Sequence, residues 1–388
     1  MQDIIDTSDI VIVGSGIFGL TIAERLTTEL GLKVLVLERR NEIGGNMESY
    51  VDGETGIEIH KYGSHLFHTN NLRVWEYVNS FSNFTNYRHK VFTNHQNQFF
   101  SLPINLHTIS QFFGEAFTPT QAREFLQSTQ KQHSNLNMAN LEEKAISLIG
   151  PELYEAFIQN YTKKQWQTDP KLLPPDIISR LPVRFTFNAD YFDDIYQGLP
   201  VDGYGSLLKR MSRNLLLPIQ TKVDYFSVKH LIPTSKVLIY TGPLDQFFSY
   251  RFGRLEWRTL DFEVEKMTTQ DFQGCSVMNY ADAEVTFTRI HEIKHIHPER
   301  SEIFNSNKTI IMREFSRSCS ELDEPYYPVN SIADRAKLSE YRKLAASTPN
   351  TFFGGRLGSY QYLDMHMAIA SALSLVKNEL IPLFSRPR

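Results

Sequence analysis

Three glycines and one acidic residue near the N-terminus have the types and the spacing of a nucleotide-binding motif. In the segment IVIVGSGIFGLTIAERL, residues 10–26, Gly14, Gly16 and Gly19 form the pattern GxGxxG, and Glu38 follows nineteen residues after the third glycine. The first glycine permits a tight turn, the second lets the backbone approach a pyrophosphate, and the third lets a helix and a strand pack closely. The carboxylate is placed to accept hydrogen bonds from a ribose diol. The pattern therefore predicts a bound nucleotide cofactor.

A second glycine pair indicates which cofactor this is. Gly44 and Gly45 follow Glu38 at close range in RRNEIGGN, a feature that NAD enzymes do not need and that many flavoproteins use to contact the pyrophosphate and the ribityl chain. The segment VLIYTGP, residues 237–243, resembles the second flavin-contacting strand of such proteins. A helix that begins near Asp364 would direct the positive end of its dipole at a reduced flavin. FAD is therefore favoured over NAD.

Alternating buried strands and helices must position this motif. An apolar run, Asp9–Val13, is followed by helical spacing over 18–30 and by a second apolar run over 32–38. This order predicts two parallel strands joined by a crossover helix. Capped helical patterns occupy much of 97–165, and alternating patterns within 254–292 predict an antiparallel sheet.

The sequence thus predicts an α/β protein with a Rossmann-like FAD-binding domain, an inserted helical domain and a mixed or antiparallel β-sheet domain. The 388 residues are enough for this division. The first domain is built from discontinuous segments. The predicted boundaries are 1–85, about 200–250 and 330–388 for the FAD-binding domain, 97–180 for the helical domain, and 86–96, about 181–199 and 251–329 for the sheet domain.

Composition and charge argue against several other classes of protein. The formal net charge of −4 gives no global attraction to nucleic acid or to an anionic membrane, so any bound anion needs a local basic cluster. Cys275 and Cys319 are far apart and in no CxxC pattern, which suits a reducing cytoplasm. The N-terminus has no basic region and no stretch approaches about 18 apolar residues, so neither a signal peptide nor a membrane span is predicted. The histidines lack the spacing of a usual zinc site, so no metal is predicted.

Longer segments carry a resemblance to a known family. The chain is similar to the bacterial UDP-galactopyranose mutases in GIEIHKYGSHLFHT (56–69), YTKKQW (161–166), SRLPVRF (179–185), YTGPLDQFFSYRFGRLEWRTLDFE (240–263), TRIHEIKH (288–295), EPYYPV (324–329) and GGRLGSYQYLDMHMAIASAL (354–373). That family interconverts UDP-galactopyranose and UDP-galactofuranose. The resemblance implies reduced FAD, whose N5 acts as a nucleophile at the anomeric carbon and displaces UDP, with no net redox change. It also implies a homodimer formed partly through the helical domain, whereas the cytoplasmic location is predicted from the cysteine usage.

The resemblance also assigns residues to the substrate. Arg180, in a Pro-rich loop, and Arg289 are expected at the diphosphate, because a guanidinium fork matches phosphate oxygens and a loop arginine can move in on binding. Tyr161 is expected to stack on uracil. The residues expected to bind substrate are His89, Phe157, Tyr161, Trp166, Arg180, Tyr191, Arg258, Asn279, Arg289, Tyr326, Tyr362 and Asp364.

The catalytic and cofactor-binding residues follow from the same comparison. Catalytic roles are expected for Arg180, Arg289, His65 and His68, since either histidine could hydrogen-bond near flavin N5 and tune its proton. The residues expected to bind FAD are Gly14, Ser15, Gly16, Ile17, Phe18, Gly19, Glu38, Arg39, Gly45, Asn46, His65, Leu66, Thr241, Gly355, Arg356, Tyr362, Asp364 and Met365.

Several alternatives stay open. Strand alternation allows only one of Tyr326 and Tyr327 to point at the diphosphate. Arg258 is as compatible with a salt bridge in the sheet as with a ligand contact. Ser64 stands where the family has Ala or Pro, and its hydroxyl could add a hydrogen bond beside the flavin. The competing functions are a flavin-dependent oxidase or dehydrogenase, which would want an apolar aromatic cage, and a non-catalytic flavin or nucleotide-sugar binding protein.

Overall fold

The computed structural model describes residues 1–131, 138–178 and 182–385. Within these ranges the chain forms two large β-sheets and two small ones. The strands are β1 Ile10–Val13, β2 Val34–Leu37, β3 Ser49–Val51, β4 Glu58–His60, β5 Phe67–Thr69, β6 Val91–His95, β7 Gln98–Leu102, β8 Tyr196–Gly198, β9 Val237–Tyr240, β10 Trp257–Met267, β11 Val277–Tyr280, β12 Arg289–Glu292, β13 Thr309–Ser318, β14 Tyr327–Pro328 and β15 Thr351–Phe353.

Helices form most of the remaining regular structure. They are α1 Gln2–Thr7, α2 Ile17–Leu30, α3 Leu72–Asn79, α4 Leu106–Phe113, α5 Pro119–Lys131, α6 Leu141–Ile149, α7 Pro151–Leu153, α8 Asn160–Trp166, α9 Gly203–Ser212, α10 Tyr225–Val228, α11 Leu244–Phe247, α12 Ser301–Phe304, α13 Ile332–Ser347, α14 Gly355–Ser359, α15 Met365–Leu375 and α16 Ile381–Phe384. Short 3₁₀ segments are Gly45–Met47, Pro170–Leu172, Pro175–Ile178, Lys229–Leu231 and Ile293–Ile296. Two π-helical segments, Tyr154–Gln159 and Val376–Leu380, continue α7 into α8 and α15 into α16.

The first large sheet is parallel and has the strand order β15-β9-β1-β2. β1 and β2 are buried along their whole length, which explains their uninterrupted apolar sequences. Helix α2 connects them and buries Phe18, Ile22 and Leu26 in the main apolar core. The strand-helix-strand start predicted from the sequence is therefore confirmed, and with it the α/β, Rossmann-like fold class.

The second large sheet is mixed and has the order β14-β10-β13-β12-β11-β6-β7. β11 and β6 run parallel, and the other neighbouring strands are antiparallel. The register places Arg289 on β12 directly opposite Glu314 on β13. Directly opposed residues project from the same face of a sheet, so the cation and the acid can pair there.

Helices α4 to α8 surround a separate apolar core that includes Leu126 and Phe157. β7 lies inside the segment 97–180 but belongs to the mixed sheet, so the helices of this part begin at Leu106. The π segment Tyr154–Gln159 carries Phe157. Single-turn π segments are rare and frequently mark functional sites.

The C-terminal helical run, Met365–Phe384, bears on the membrane prediction. Among the described residues it is the one helix with the length and mean hydropathy (1.4) of a membrane span, and 28% of that window is buried. The sequence showed no stretch of that apolar length because Lys377 and Glu379 interrupt it. Its N-terminal half buries Ala368 and Ile369 in the main core. Length and average hydropathy alone are weak evidence for insertion.

Candidate active site

A cleft of about 1880 Å³ lies where the two large sheets and the helical part meet. Its walls include the carboxyl ends of β1 and β9, parts of β11 and β12, and one face of α8. Ligands of open α/β sheets bind outside the carboxyl ends of the strands. A pocket for a single small ligand has roughly 300–1,000 Å³. This cleft therefore has room for a cofactor and a second ligand.

The GxGxxG motif forms the turn between β1 and α2. Gly14 has φ +97°, and a β-carbon there would lie 2.1 Å from Thr241 Oγ1. A β-carbon at Gly19 would lie 2.2 Å from the carbonyl oxygen of Gly14. At Gly16, by contrast, a β-carbon would meet no atom of the described residues within 4 Å. The fold requires glycine at the first and third positions, whereas glycine at the second fits the close approach of a pyrophosphate.

Glu38 holds this turn from the end of β2. Its Oε2 accepts hydrogen bonds from the N–H (2.9 Å) and the Oγ–H (2.7 Å) of Ser15, and its Oε1 accepts from the N–H of Arg40 at 2.8 Å. Glu38 also lines the cleft, where a carboxylate has further acceptor capacity for a ribose. Ser15 is fully buried and does not line the cleft.

An ion-pair cluster beside this turn was missed by the sequence prediction. Glu324, just before β14, accepts hydrogen bonds from Arg39 and, at 2.6 Å, from Arg40. The Arg40 guanidinium also lies 4.4 Å from the ring centroid of Tyr62 and donates to Asn46 Oδ1 at 3.1 Å. Burial disfavours the charge of Arg40, but Glu324 raises its pKa. No local signal could have found this cluster, because Glu324 lies 284 residues from Arg40.

His65 links two of the turns that line the cleft. Its Nε2–H donates to the carbonyl oxygen of Asn46, and its backbone N–H donates to His60 Nδ1 at 3.0 Å. Burial lowers the pKa of His65 to about 4 and the pKa of His60 to about 3. Both rings are therefore neutral at pH 7. His65 shapes the wall of the cleft and carries no charge there.

His68 has an acidic partner that the sequence prediction did not include. Its Nδ1 lies 2.5 Å from Asp194 Oδ2, and its ring stacks on Phe192 with centroids 3.7 Å apart. The ring of His366 packs against it edge to face at 4.7 Å. The carboxylate orients the imidazole and leaves Nε2 for another partner. Of the two histidines expected to be catalytic, only His68 contacts a carboxylate among the described residues.

Arg289 is anchored by a chain of buried polar side chains. Its Nε lies 3.1 Å from Glu314 Oε1, and Glu314 Oε2 accepts from His291 Nε2 at 3.1 Å. His291 Nδ1 lies 3.1 Å from Ser64 Oγ. Burial lowers the pKa of His291, so the neutral ring donates through Nε2 and accepts the Ser64 hydroxyl proton at Nδ1. The Ser64 hydroxyl group, for which a hydrogen bond beside the flavin was considered, therefore donates to the side chain of His291.

This anchoring keeps the charge of Arg289 at the cleft. Burial disfavours both charges of the pair, yet Glu314 raises the pKa of Arg289 and Arg289 lowers the pKa of Glu314. The Glu314 side chain is only 3% exposed, whereas that of Arg289 is 27% exposed and lines the cleft. The pair thus presents one cation to the cleft on a fixed support, as binding of an anion requires.

Three tyrosines lie near this guanidinium, and a fourth packs on one of them. The Arg289 Cζ lies 6.0 Å from the ring centroid of Tyr161, on α8. Tyr191 and Tyr327 are close enough to affect the pKa of Arg289. The ring of Tyr362 stacks on that of Tyr327 with centroids 5.7 Å apart. Tyrosine side chains therefore lie beside Arg289 in this part of the cleft, and a second arginine, Arg356, lies 5.0 Å from the ring centroid of Tyr362.

Strand alternation separates Tyr326 from Tyr327, as expected. Tyr326 is 4% exposed and packs towards Tyr62, with ring centroids 6.2 Å apart. Tyr327 instead lies with Arg289 and Tyr362. Tyr326 was the tyrosine predicted at the diphosphate, with Tyr327 as the alternative. The structure places Tyr327 beside Arg289 and Tyr326 beside Tyr62.

Arg258 takes neither of the roles considered for it. It is 3% exposed and does not line the cleft. Its guanidinium donates to the Gln165 carbonyl oxygen at 3.2 Å, to Ser318 Oγ at 2.9 Å and to Ser316 Oγ at 3.2 Å. Arg258 therefore ties the end of α8 to the mixed sheet, without a carboxylate partner among the described residues.

The other substrate residues expected from the sequence lie on three separate elements. Phe157 is 3% exposed and packs on Phe100 with centroids 5.0 Å apart, so only its edge reaches the cleft. Asn279 lines the cleft from β11. His89 lies beside Tyr191 with centroids 5.5 Å apart, and burial lowers its pKa to about 3. All the expected site residues that the structure describes line the cleft except Ser15 and Arg258, whereas Arg180 lies outside the described residues.

Three groups of histidine and acidic side chains place ligand atoms within 4.8 Å of one another in the described part of the chain. They are Glu58, His60 and His297; His68, Asp364 and His366; and Asp271, Glu292 and His295. Glu292 already accepts from Thr309 Oγ1 at 2.6 Å and from two backbone N–H groups, as a structural carboxylate does. That the protein needs no metal stays a prediction.

The parallel sheet with its glycine turn defines a Rossmann-like, dinucleotide-binding α/β protein that has a second, cationic and tyrosine-lined ligand site. Comparisons with known proteins place this architecture in a family. The family profile described as UDP-galactopyranose mutase matches residues 156–362, and that of an NAD(P)-binding Rossmann-like domain matches residues 12–81.

Individual relatives agree with these profiles. The chain is 41% identical to a probable UDP-galactopyranose mutase of Klebsiella pneumoniae, over 98% of this chain and 99% of that protein. It is 39% identical to a dTDP-fucopyranose mutase of Escherichia coli, over 94% of this chain and 96% of that protein. A crystal structure of a reduced UDP-galactopyranose mutase shares the fold, with a TM-score of 0.75 and 15% identity over 97% of this chain and 94% of that chain. The chain therefore belongs to the UDP-galactopyranose mutase family and is an isomerase.

Proposed function

We propose that the protein interconverts UDP-galactopyranose and UDP-galactofuranose with reduced FAD as its cofactor. The proposal depends above all on Arg289, whose charge is anchored by buried Glu314 and faces a cleft that also holds a complete dinucleotide motif. A nucleotide sugar carries its negative charge on the diphosphate, which such a cation binds. Family membership supports the choice of sugar and nucleotide.

The residues along one end of the cleft fit FAD. The open position at Gly16, at the N-terminus of α2, would take the pyrophosphate, and Glu38 would take the ribose. The turns at 44–46 and 63–66 and the start of α15 would hold the flavin. When bound and reduced, the flavin supplies a nucleophilic N5 for the anomeric carbon of the sugar.

The other end of the cleft fits a nucleotide sugar. Tyr161 lines this end of the cleft and would stack on the uracil ring, and Phe157, four residues earlier, lines the cleft from the helical core. Arg289 would bind the diphosphate together with the hydroxyl groups of Tyr327 and Tyr362. These contacts leave the sugar between the diphosphate site and the cofactor end.

Arg289 also acts during the reaction. Negative charge grows on the diphosphate oxygen as its bond to the anomeric carbon breaks, and the guanidinium stabilises that charge and retains UDP. Because Glu314 holds the guanidinium in place, little reorganisation is needed at that moment. Arg180 is proposed as a second diphosphate arginine on the resemblance alone.

His68 is proposed to hold a proton near the cofactor. Asp194 fixes its Nδ1, so its Nε2 is the atom that can donate to or accept from a bound ligand. His65 has its Nε2–H committed to Asn46 and is proposed only as a positioning contact for the cofactor.

A reduction-dependent assay tests the function. The purified protein should be yellow, and it should convert UDP-galactofuranose only after reduction with dithionite, without stoichiometric consumption of oxygen or NADH. An oxidase would consume oxygen, and a non-catalytic binding protein would show no turnover. Equal conversion by the oxidised and the reduced protein, or a folded protein without flavin, would contradict the proposal.

A second nucleotide sugar belongs in the same assay, because one relative of 39% identity is named for dTDP-fucopyranose. The two substrates differ in a base methyl group, a ribose hydroxyl group and the hydroxyl group on C6 of the sugar. We expect a higher kcat/KM with UDP-galactofuranose than with dTDP-fucofuranose. A higher kcat/KM with dTDP-fucofuranose would still support a sugar-ring isomerase but would contradict UDP-galactofuranose as the preferred substrate.

The remaining parts of the proposal concern assembly and location. A homodimer formed partly through the helical part is proposed on the resemblance, and a cytoplasmic location on the cysteine usage. The division into a FAD-binding, a helical and a sheet domain is proposed with the mixed sheet extended to include β7, which pairs with β6.

A further inference from the structure

The ammonium group of Lys164 lies inside a ring of backbone carbonyl groups. Its Nζ donates to the carbonyl oxygens of Tyr280 at 2.7 Å, Asp282 at 2.9 Å, Val285 at 2.9 Å and Phe287 at 3.2 Å. Tyr280 is the last residue of β11, and the other three lie in the loop between β11 and β12. The end of β11 and the loop that follows it therefore wrap around the end of this side chain.

Peptide dipoles replace water around this cation. An ammonium group has three N–H donors and no acceptor, so a ring of carbonyl oxygens satisfies it fully. Among the described residues Lys164 forms no ion pair, and the carbonyl groups are its hydrogen-bond partners. The neighbouring Lys163 is exposed. Without the ammonium, the carbonyl dipoles would point at one another with no donor between them.

The loop connects two strands of the cleft wall. Asn279 on β11 and Arg289 on β12 both line the cleft and flank the loop. Lys164 lies on α8, one helical turn after Tyr161, whose ring centroid is 6.0 Å from Arg289 Cζ. The lysine thus joins the helix that carries the aromatic face to the strand that carries the cation.

The loop has a second attachment on its outer side. Asp282 accepts from Nδ1 of His95, the last residue of β6, at 2.6 Å and from the N–H of Gln96, in the following turn, at 2.8 Å. The rings of Tyr280 and Phe287 also pack edge to face at 4.7 Å. Loss of the lysine therefore leaves the loop attached to the sheet and removes its hydrogen bonds to the Lys164 ammonium group of α8.

We propose that Lys164 is a positioning residue that sets the distance between the aromatic face of α8 and the cation of β12. The inference rests on the proposed function, in which Tyr161 stacks on the base and Arg289 binds the diphosphate of one nucleotide. A nucleotide bound at both points requires a fixed spacing between them. Lys164 does not touch the cofactor end, so its loss changes nucleotide binding and leaves the flavin bound.

Two lysine variants test this. Lys164→Ala should raise the Kd for UDP, measured by calorimetry, and the KM for the sugar nucleotide at least tenfold, with kcat changed less than threefold and the flavin spectrum unchanged. Lys163→Ala, on the same helix but exposed, is the matched control and should stay within twofold of the wild type.

Chemical rescue separates positioning by the ring from general damage. Carbonyl rings of this kind bind monovalent cations. Ammonium or methylammonium chloride should lower the KM of Lys164→Ala at least threefold, whereas lithium chloride at the same ionic strength should not. Lys164→Met fills the space with an apolar chain and should not respond to either salt.

The outcomes are distinct. A Kd for UDP in Lys164→Ala within twofold of Lys163→Ala overturns the inference, and so does a raised Kd that ammonium does not lower. If Lys164→Ala does not fold, Lys164→Met, which fills the same space without a donor, replaces it: a Kd for UDP raised at least tenfold supports the inference, and a Kd within twofold of Lys163→Ala overturns it. Lack of turnover by the wild type would contradict the proposed function, while the comparison of UDP binding would still hold.

Discussion

The two ends of the cleft are built in different ways. The end proposed to hold the cofactor is lined by short glycine-containing segments, at 14–19, 44–46 and 63–66. The end proposed to bind the substrate brings single side chains from distant elements, such as Tyr161 and Arg289, to one place. Backbone turns are local and are sensitive to any added side chain, whereas converging side chains depend on the partners that hold them. The following predictions test this difference, from the largest expected effect to the smallest.

The largest effect is expected at Gly16. Gly16→Val should reduce FAD affinity by roughly 100-fold or more, about 2.7 kcal/mol, because the new side chain occupies the approach of the pyrophosphate. A β-carbon there meets no atom of the described residues within 4 Å, so folding should be unaffected. Visible absorbance and far-ultraviolet circular dichroism check both expectations. Gly53→Ala, at an equally open turn position, is the control.

The next effect is expected at Arg289. Arg289→Ala should lower kcat/KM by roughly 10²- to 10³-fold, about 3–4 kcal/mol, because a preorganised charge on the leaving group is lost, while FAD stays bound. Steady-state kinetics on the reduced enzyme measure it. Arg313→Ala removes a neighbouring arginine whose partner is the exposed Glu265, and it should stay within twofold of the wild type. Wild-type turnover by Arg289→Ala would contradict the assigned role.

A moderate effect is expected from acid. His60, His65 and His89 have folded pKa values of about 3, 4 and 3, below the ordinary 6.5 of the unfolded chain. As the pH falls, these histidines take up protons in the unfolded chain before they do so in the folded protein. Their contribution to the free energy of unfolding is therefore fully present above pH 6.5 and is lost as the pH falls below 6.5. At pH 5.5 each of these histidines is expected to lower the free energy of unfolding by up to about 1.4 kcal/mol.

Urea denaturation of wild type and variants at pH 7.5 and 5.5 measures this loss. The free energy of unfolding of His89→Asn should fall less between pH 7.5 and pH 5.5 than that of the wild type, by the amount expected for one histidine. His230→Asn, at an exposed position, is the control. Equal pH dependence in the His89 variant and the wild type would show that His89 titrates normally in the folded protein.

The smallest effect is expected at Ser64, where the two ends meet. Ser64→Ala removes the hydrogen bond to His291 Nδ1 at the far end of the chain that anchors Arg289. One neutral hydrogen bond contributes about 0.5–1.5 kcal/mol, so the KM should rise roughly twofold to tenfold with FAD retained. Ser64→Thr keeps the hydroxyl and should resemble the wild type. An unchanged KM in Ser64→Ala would show that Glu314 alone anchors the arginine.

Prediction from sequence succeeded best at the cofactor end. The turn geometry of Gly14 and the close packing of Gly19 follow from residues within one short segment, so a spacing rule captures them. The pairing of Arg40 with Glu324 was not predictable in this way, because 284 residues separate the partners. Asp194, the partner of His68, lies 126 residues away and was missed for the same reason.

The sequence by itself determined the strand-helix-strand unit, the glycine turn and, through the resemblance, the residues expected at the substrate. These depend on local periodicity and on fixed spacing, which a linear chain displays directly. Only the tertiary structure decided that Tyr327 and not Tyr326 lies beside Arg289, and that Arg258 serves the sheet instead of the cleft. Alternation along a strand says that neighbouring residues face opposite ways, but only the packing of other elements decides which face is the site.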